Sequence, residues 1–149
     1  MREDLKVAVG IADVLDETMG KCSYWKAIRI TGWVARFIHN CKKKCSERTT
    51  GPLTAEETQV QVEFWIKRVQ KRCQGTKEFL EDQQRLNLQK NHRGLYECHG
   101  RIQGDYPVYL PDKSTFTEKL VMDAHQITLH GGVGLVMTAI RRDYWIPRL

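Results

Sequence analysis

Between Tyr24 and Leu86 the apolar residues fall into three helix-like runs, the first two spaced by threes and fours and ending on turn signals. That pattern commits this part of the chain to amphipathic helices packed by their apolar faces. The first runs from Tyr24 to about Cys45, with Ile30, Trp33, Val34, Phe37, Ile38, Cys41 and Cys45 on one face. Gly32 interrupts it, at a helical cost of roughly 1 kcal/mol against Ala. After the turn at Thr50-Gly51-Pro52, Thr54-Ala55-Glu56-Glu57 reads as a capping box. The Thr54 hydroxyl is placed to accept from the Glu57 amide, and the Glu57 carboxylate to reach back to the Thr54 amide. The helix it opens carries Val62, Trp65, Ile66, Val69 and Cys73 on one face and stops near Gly75. Phe79, Leu80 and Leu86 mark a shorter third helix. Trp33 and Trp65 are both expected in the core.

The pattern changes near Asn91. Leu95–Gln103 and Tyr106–Leu110 are short strand-like runs separated by Gly104-Asp105, which predicts a β-hairpin, bulged at Gly100 and closed by Pro111. Pro107 predicts an edge position, because proline cannot donate to a ladder. A helix from about Ser114 carries Phe116, Leu120, Val121, Ala124 and Ile127 inward, with Thr115 and Glu118 as a second capping box. Another, roughly Gly134–Asp143, offers Val136, Ala139 and Ile140. The expected fold is mainly α with a small β-hairpin, divided into a helical region 1–90 and a hairpin-plus-helix region 91–149. A chain of 149 residues holds one ordinary domain or two small ones, which excludes a multidomain enzyme.

The charge is uneven. The net charge is +6, and between Lys21 and Arg48 the basic residues Lys21, Lys26, Arg29, Arg36, Lys42, Lys43, Lys44 and Arg48 face Glu47 alone. Arg29, Arg36 and Lys43, spaced by seven, fall along one flank of the first helix. Such a patch favours a polyanion, and nucleic acid is the commonest one in a cell. No apolar stretch is long enough to span a bilayer; the longest uncharged run, Ala124–Ile140, contains two histidines and three glycines. No signal peptide is evident, and the five cysteines form no C-x-x-C pair. A reducing intracellular compartment, cytoplasm or nucleus, is therefore expected, with Cys41, Cys45, Cys73 and Cys98 as small hydrophobes rather than disulfide partners.

His125-Gln-Ile-Thr-Leu-His130 is an H-x4-H pair at a predicted helix end, followed by Gly131-Gly132. Zinc requires four ligands in a tetrahedron, and two histidines at this spacing make a half-site. The glycines let the backbone turn sharply enough to bring the second back toward the first. Cys98 with His99, or Cys41 with Cys45, are the pairs that would complete it. No Ser–His–Asp set, phosphate loop or catalytic carboxylate pair stands out, so the chain is expected to be non-catalytic and to have no small-molecule substrate.

The wider string is more specific. Leu110-Pro111, then Phe116-Thr-Glu-Lys-Leu-Val-Met-Asp-Ala-His125, Leu129-His130-Gly131-Gly132-Val133-Gly134, and Thr138-Ala139-Ile140-Arg141-Arg142-Asp143-Tyr144-Trp145-Ile146-Pro147 resemble the N-terminal His-His-Cys-Cys zinc domain of retroelement integrases. The form is similar to the Bel/Pao class of LTR retrotransposons, with its H…LHGG and YWIP strings. Upstream, Tyr24-Trp25, Val34–Ile38, Gly51–Glu57 and Trp65–Gln70 look like the connector between ribonuclease H and integrase in those polyproteins. Gly94-Leu95, Gly100–Ile102 and Pro107–Pro111 resemble the hairpin before the zinc domain. The resemblance implies an incomplete zinc-binding helix bundle, because the family's cysteine pair lies beyond the YWIP string and this sequence ends at Leu149. It further implies that Tyr144 and Trp145 pack across a three-helix core, and that zinc belongs to the complete domain.

The expectation is thus a non-catalytic fragment of a retrotransposon integrase polyprotein. His125 and His130 form a metal half-site, and Lys26, Arg29, Arg36, Lys42, Lys43 and Lys44 bind nucleic acid, DNA in the parent. The alternative is a protein–protein interaction or homo-oligomerisation module from a domesticated or truncated element.

Overall fold

The computed structural model describes residues 14–100, 104, 106–129 and 131–149. They form a mainly helical chain with a small four-stranded sheet. Residues 14–21 are helical (α1). Then come α2 (Tyr24–Cys41), a 3-10 turn (Cys45–Glu47), α3 (Ala55–Cys73), α4 (Lys77–Arg85), β1 (Leu88–Lys90), β2 (Tyr96–Cys98), β3 (Val108–Tyr109), α5 (Thr115–Ile127), α6 (Val133–Arg141) and β4 (Tyr144–Trp145). The chain divides into two compact units, residues 1–62 and 63–149. Asn91, where the sequence pattern changes, is a hairpin turn within the second unit. Its side-chain oxygen accepts from the amides of Arg93 and Leu95 at 2.9 and 3.0 Å, its amide group donates to Glu97, and β1 and β2 pair antiparallel on either side.

In the first unit α2 starts at Tyr24 as expected and ends at Cys41, four residues early. Its buried positions are Tyr24, Ala27, Ile28, Thr31, Gly32 and Arg36. The face built from Trp33, Val34, Phe37 and Ile38 is exposed, Trp33 by 50% and Phe37 by 69%, so the expectation that this face and Trp33 are core is overturned. The physical reason is that the other side finds partners: Gly32 lets Leu53 and Gln61 approach, and Arg36 bonds Glu57, Gly51 and Pro52. A Cβ on Gly32 would stand 3.0 Å from Leu53 Cδ1 and 3.7 Å from Gln61 Cγ, so the glycine admits close packing rather than merely weakening the helix. The Thr54–Glu57 capping box forms as read: the Thr54 amide donates to Glu57 Oε2 at 2.8 Å and the Glu57 amide to Thr54 Oγ1 at 3.2 Å.

The second unit is built on a sheet of order β1-β2-β3-β4. The expected hairpin is present as the antiparallel β2–β3 pair, but it is the centre of the sheet rather than the whole of it. Pro107 therefore precedes a central strand, not an edge one. It sits one residue before β3, where its carbonyl accepts from the Cys98 amide at 3.0 Å and its missing N–H costs no ladder bond. β2 ends at Cys98, before Gly100, so Gly100 is no bulge within it; residues 101–103 and 105 lie outside the described residues.

β4 runs parallel to β3, in register Val108↔Tyr144 and Tyr109↔Trp145. A parallel pair needs a long crossover, and α5 and α6 supply it. Tyr144 and Trp145 are thus sheet residues, not members of a three-helix core. Main-chain bonds from Val108 N to Asp143 O and Leu110 N to Trp145 O, at 3.0 and 2.9 Å, hold them there.

Phe79, Leu88, Cys98 and Tyr109 form a buried cluster, packed against Cys73, Leu86, Tyr96 and Trp145. Trp65, 1% exposed, stacks on Phe116. Gln70 ties α3 to the sheet. Its buried amide donates to the carbonyls of Tyr96 and Tyr109 at 3.1 and 2.8 Å, and its oxygen accepts from the Tyr96 amide at 2.9 Å. Every group of that side chain faces a partner, as burial of an amide demands.

Asp82, also buried, accepts from the Tyr109 hydroxyl at 3.0 Å and from Arg85 at 2.8 Å. α5 is capped by Ser114, whose hydroxyl accepts from the Thr117 amide at 3.1 Å, in place of the expected Thr115. Phe116 and Leu120 point inward, whereas Ile127 and Ala139 are exposed.

Candidate nucleic-acid interface

α2 and the loop after it carry the basic set. Lys26 and Arg29 are exposed on the helix, and Lys42, Lys43 and Lys44 are exposed where the chain leaves it. The loop is closed by a residue that charge counting passes over. Asn40 donates to the Thr49 carbonyl at 2.9 Å and accepts from the Thr49 amide at 3.0 Å, a two-bond clamp spanning the lysines and the 3-10 turn. Only its position at the end of an amphipathic helix, before a run of lysines, signals it in the sequence.

Arg36 does not belong to this surface. Only 5% exposed, it is held by four hydrogen bonds. Nε donates to Glu57 Oε1 at 2.8 Å, one terminal nitrogen to the Gly51 carbonyl at 2.6 Å, and the other to Glu57 Oε2 and to the Pro52 carbonyl at 2.8 Å. A guanidinium so occupied has no fork left for a phosphate. The expected role of Arg36 in nucleic-acid binding is therefore corrected: it fastens the Gly51-Pro52 turn and the start of α3 to α2. Its hydrogen bonds, with the Thr54 amide second, hold the Glu57 carboxyl down from 4.5 to about 2. Seven-residue spacing alone groups Arg36 with Arg29 and Lys43; what separates them is Glu57, twenty-one residues on.

His125 lies on the last turn of α5 and is half-buried; His130 lies outside the described residues. Among the described residues of this segment Leu129 is left-handed, at φ 52°, and Gly131 and Gly132 are not. Gly131 serves close approach instead, since a Cβ there would stand 2.9 Å from the Thr128 carbonyl oxygen.

Among the described residues no three His, Cys, Asp or Glu side chains converge where they could hold a metal ion. Of the expected H-x4-H pair the described residues include His125 alone, one of the four ligands that zinc requires. Cys98 and His99 do not converge with His125 into such a group. Cys98 is buried in the sheet cluster, and burial pushes its thiol up to about 12; burial likewise raises Cys73 to about 11. Cys41 and Cys45 are exposed, against the expectation that they are buried hydrophobes, because α2 turns its apolar side outward and stops at Cys41. His99 stacks on Tyr106 with ring centroids 3.7 Å apart.

Family models, curated proteins and solved structures give no match to this chain. Among the described residues no helix is long and apolar enough to cross a membrane.

Proposed function

We propose that this chain is a non-catalytic segment of a Bel/Pao-like retroelement polyprotein that binds nucleic acid through Lys26, Arg29, Lys42, Lys43 and Lys44. The observation that supports this reading is the exposure of all five cations on α2 and its clamped loop, in a stretch whose acidic residue is Glu47 alone. Contacts of this kind neutralise phosphates and release counterions, so affinity falls with salt. The test is the binding of a 20-base-pair DNA duplex from low to moderate salt. Each phosphate contact contributes about 0.9 to the slope of log affinity against log salt. Replacing Lys42, Lys43 and Lys44 by Ala is expected to flatten the slope by roughly two to three. A slope indifferent to those lysines contradicts the proposal.

A second reading, an oligomerisation module, is favoured by a different observation. Ile127, Leu129, Val133 and Leu135 are all exposed around the α5–α6 turn, an apolar cluster of the kind that marks association surfaces. Concentration-dependent sedimentation without nucleic acid, abolished by Leu129→Ser, is its expected signature.

A further inference from the structure

We propose that the outer face of α2 docks an acidic amphipathic helix of a different protein. Ile30, Trp33, Val34, Phe37, Ile38 and Cys41 lie within a sector of about 140° at 3.6 residues per turn, along about 16 Å of helix. Among them Trp33, Val34, Phe37 and Ile38 are large side chains left open to solvent. Three turns of apolar side chains spaced by three and four match the stripe of a second helix, whose anchors recur at the same spacing. The composition favours a helix over nucleobases, because the stripe is mostly aliphatic and only Trp33 and Phe37 offer a flat face for stacking.

The surface is also prepared. The Arg36 guanidinium, fixed by Glu57, Gly51 and Pro52, lies 4.9 Å from the centre of the Trp33 ring. Trp33 is therefore an aromatic anchor already held in place, the residue type that most often dominates a protein interface.

Charge selects the occupant. Lys26 and Arg29 stand at one end of the stripe and Lys42, Lys43 and Lys44 at the other, with no Asp or Glu between Cys22 and Ser46. A second copy presenting the same face would set cations against cations in either direction of pairing. A partner helix flanked by Asp and Glu meets complementary charge at both ends, which also steers it into register.

The experiment uses the 149-residue chain and two synthetic helical peptides with the same leucine stripe, one flanked by Glu and one by Lys, followed by tryptophan fluorescence and anisotropy. The Glu peptide is expected to bind at least tenfold more tightly than the Lys peptide. Phe37→Ser and Ile38→Ser are expected to weaken it at least tenfold with circular dichroism unchanged, since both positions are exposed. Equal binding of the two peptides, or binding of neither at millimolar concentration, overturns the proposal. So does a chain whose self-association is abolished by Phe37→Ser, which would make the face a homotypic interface. Loss of oligo-dT binding in Phe37→Ser with the peptides unaffected also overturns it, because the aromatics would then be stacking bases.

Discussion

α2 and α3 read alike as sequence, and the structure treats them in opposite ways. Both carry large apolar residues at helical spacing, and each has a tryptophan on that stripe. In α3 the stripe is the core: Val62, Trp65, Ile66 and Val69 are buried as expected. In α2 the stripe faces solvent, and the helix is held by the side bearing Ala27, Ile28, Thr31, Gly32 and Arg36. Periodicity finds a face, but it does not say which of two faces is occupied. What decides is the fit of small residues and the demands of buried polar groups, and those depend on partners distant in sequence. Arg36 in the first unit and Gln70 in the second make the same point, since each is a buried polar side chain that bonds loop or strand carbonyls.

The sharpest way to break the comparison is to truncate the two tryptophans. Trp65→Ala removes a side chain that is almost wholly buried, and is expected to cost about 3–5 kcal/mol in urea unfolding. Trp33→Ala is expected to cost about 1 kcal/mol or less, because it loses mainly its contact with Arg36. Comparable losses at both positions would mean that the α2 stripe is covered.

Arg36→Met strands Glu57 and two carbonyls, and is expected to lower the melting temperature of the first unit by on the order of 5 °C or more. It should leave the salt slope of DNA binding unchanged; a flatter slope would restore Arg36 to the phosphate surface. Gln70→Leu leaves the Tyr96 amide without its acceptor, at an expected cost of about 2–3 kcal/mol, with faster hydrogen exchange at that amide.

The Arg36–Glu57 pair between α2 and α3 also sets an acid limit. Because the folded-state pKa of Glu57 is depressed, its contribution is present above the ordinary value of 4.5 and is lost as pH falls toward about 2. Thermal melts of the first unit between pH 5 and 2 are expected to show this decline, and Glu57→Gln is expected to remove it. The smallest effect is Gly32→Ala. Its gain in helix propensity is set against a 3.0 Å approach to the end of the Leu53 side chain, leaving a change of roughly half a kcal/mol or less.

Local signals carried much of the fold. The Thr54–Glu57 box, the stop before Gly75, the start of α5 next to Ser114 and the β2–β3 pairing are all visible in the residues, because each is decided within a few positions. β1 and β4 were not legible. They are three and two residues long, and β4 exists only because its main chain meets β3 across two intervening helices. No local pattern encodes a parallel pairing of Tyr109 with Trp145. For the candidate site, exposure of the lysines followed from composition, whereas the Asn40 clamp and the removal of Arg36 depend on Thr49 and Glu57.

The central claim is the orientation of α2, and hydroxyl-radical footprinting of the dilute monomer tests it most directly. Trp33 and Phe37 are expected to be modified rapidly, with Trp65, Phe116 and Tyr109 protected. Protection of Trp33 and Phe37 comparable to that of Trp65 would contradict the account, because the stripe read as open would then be part of the core.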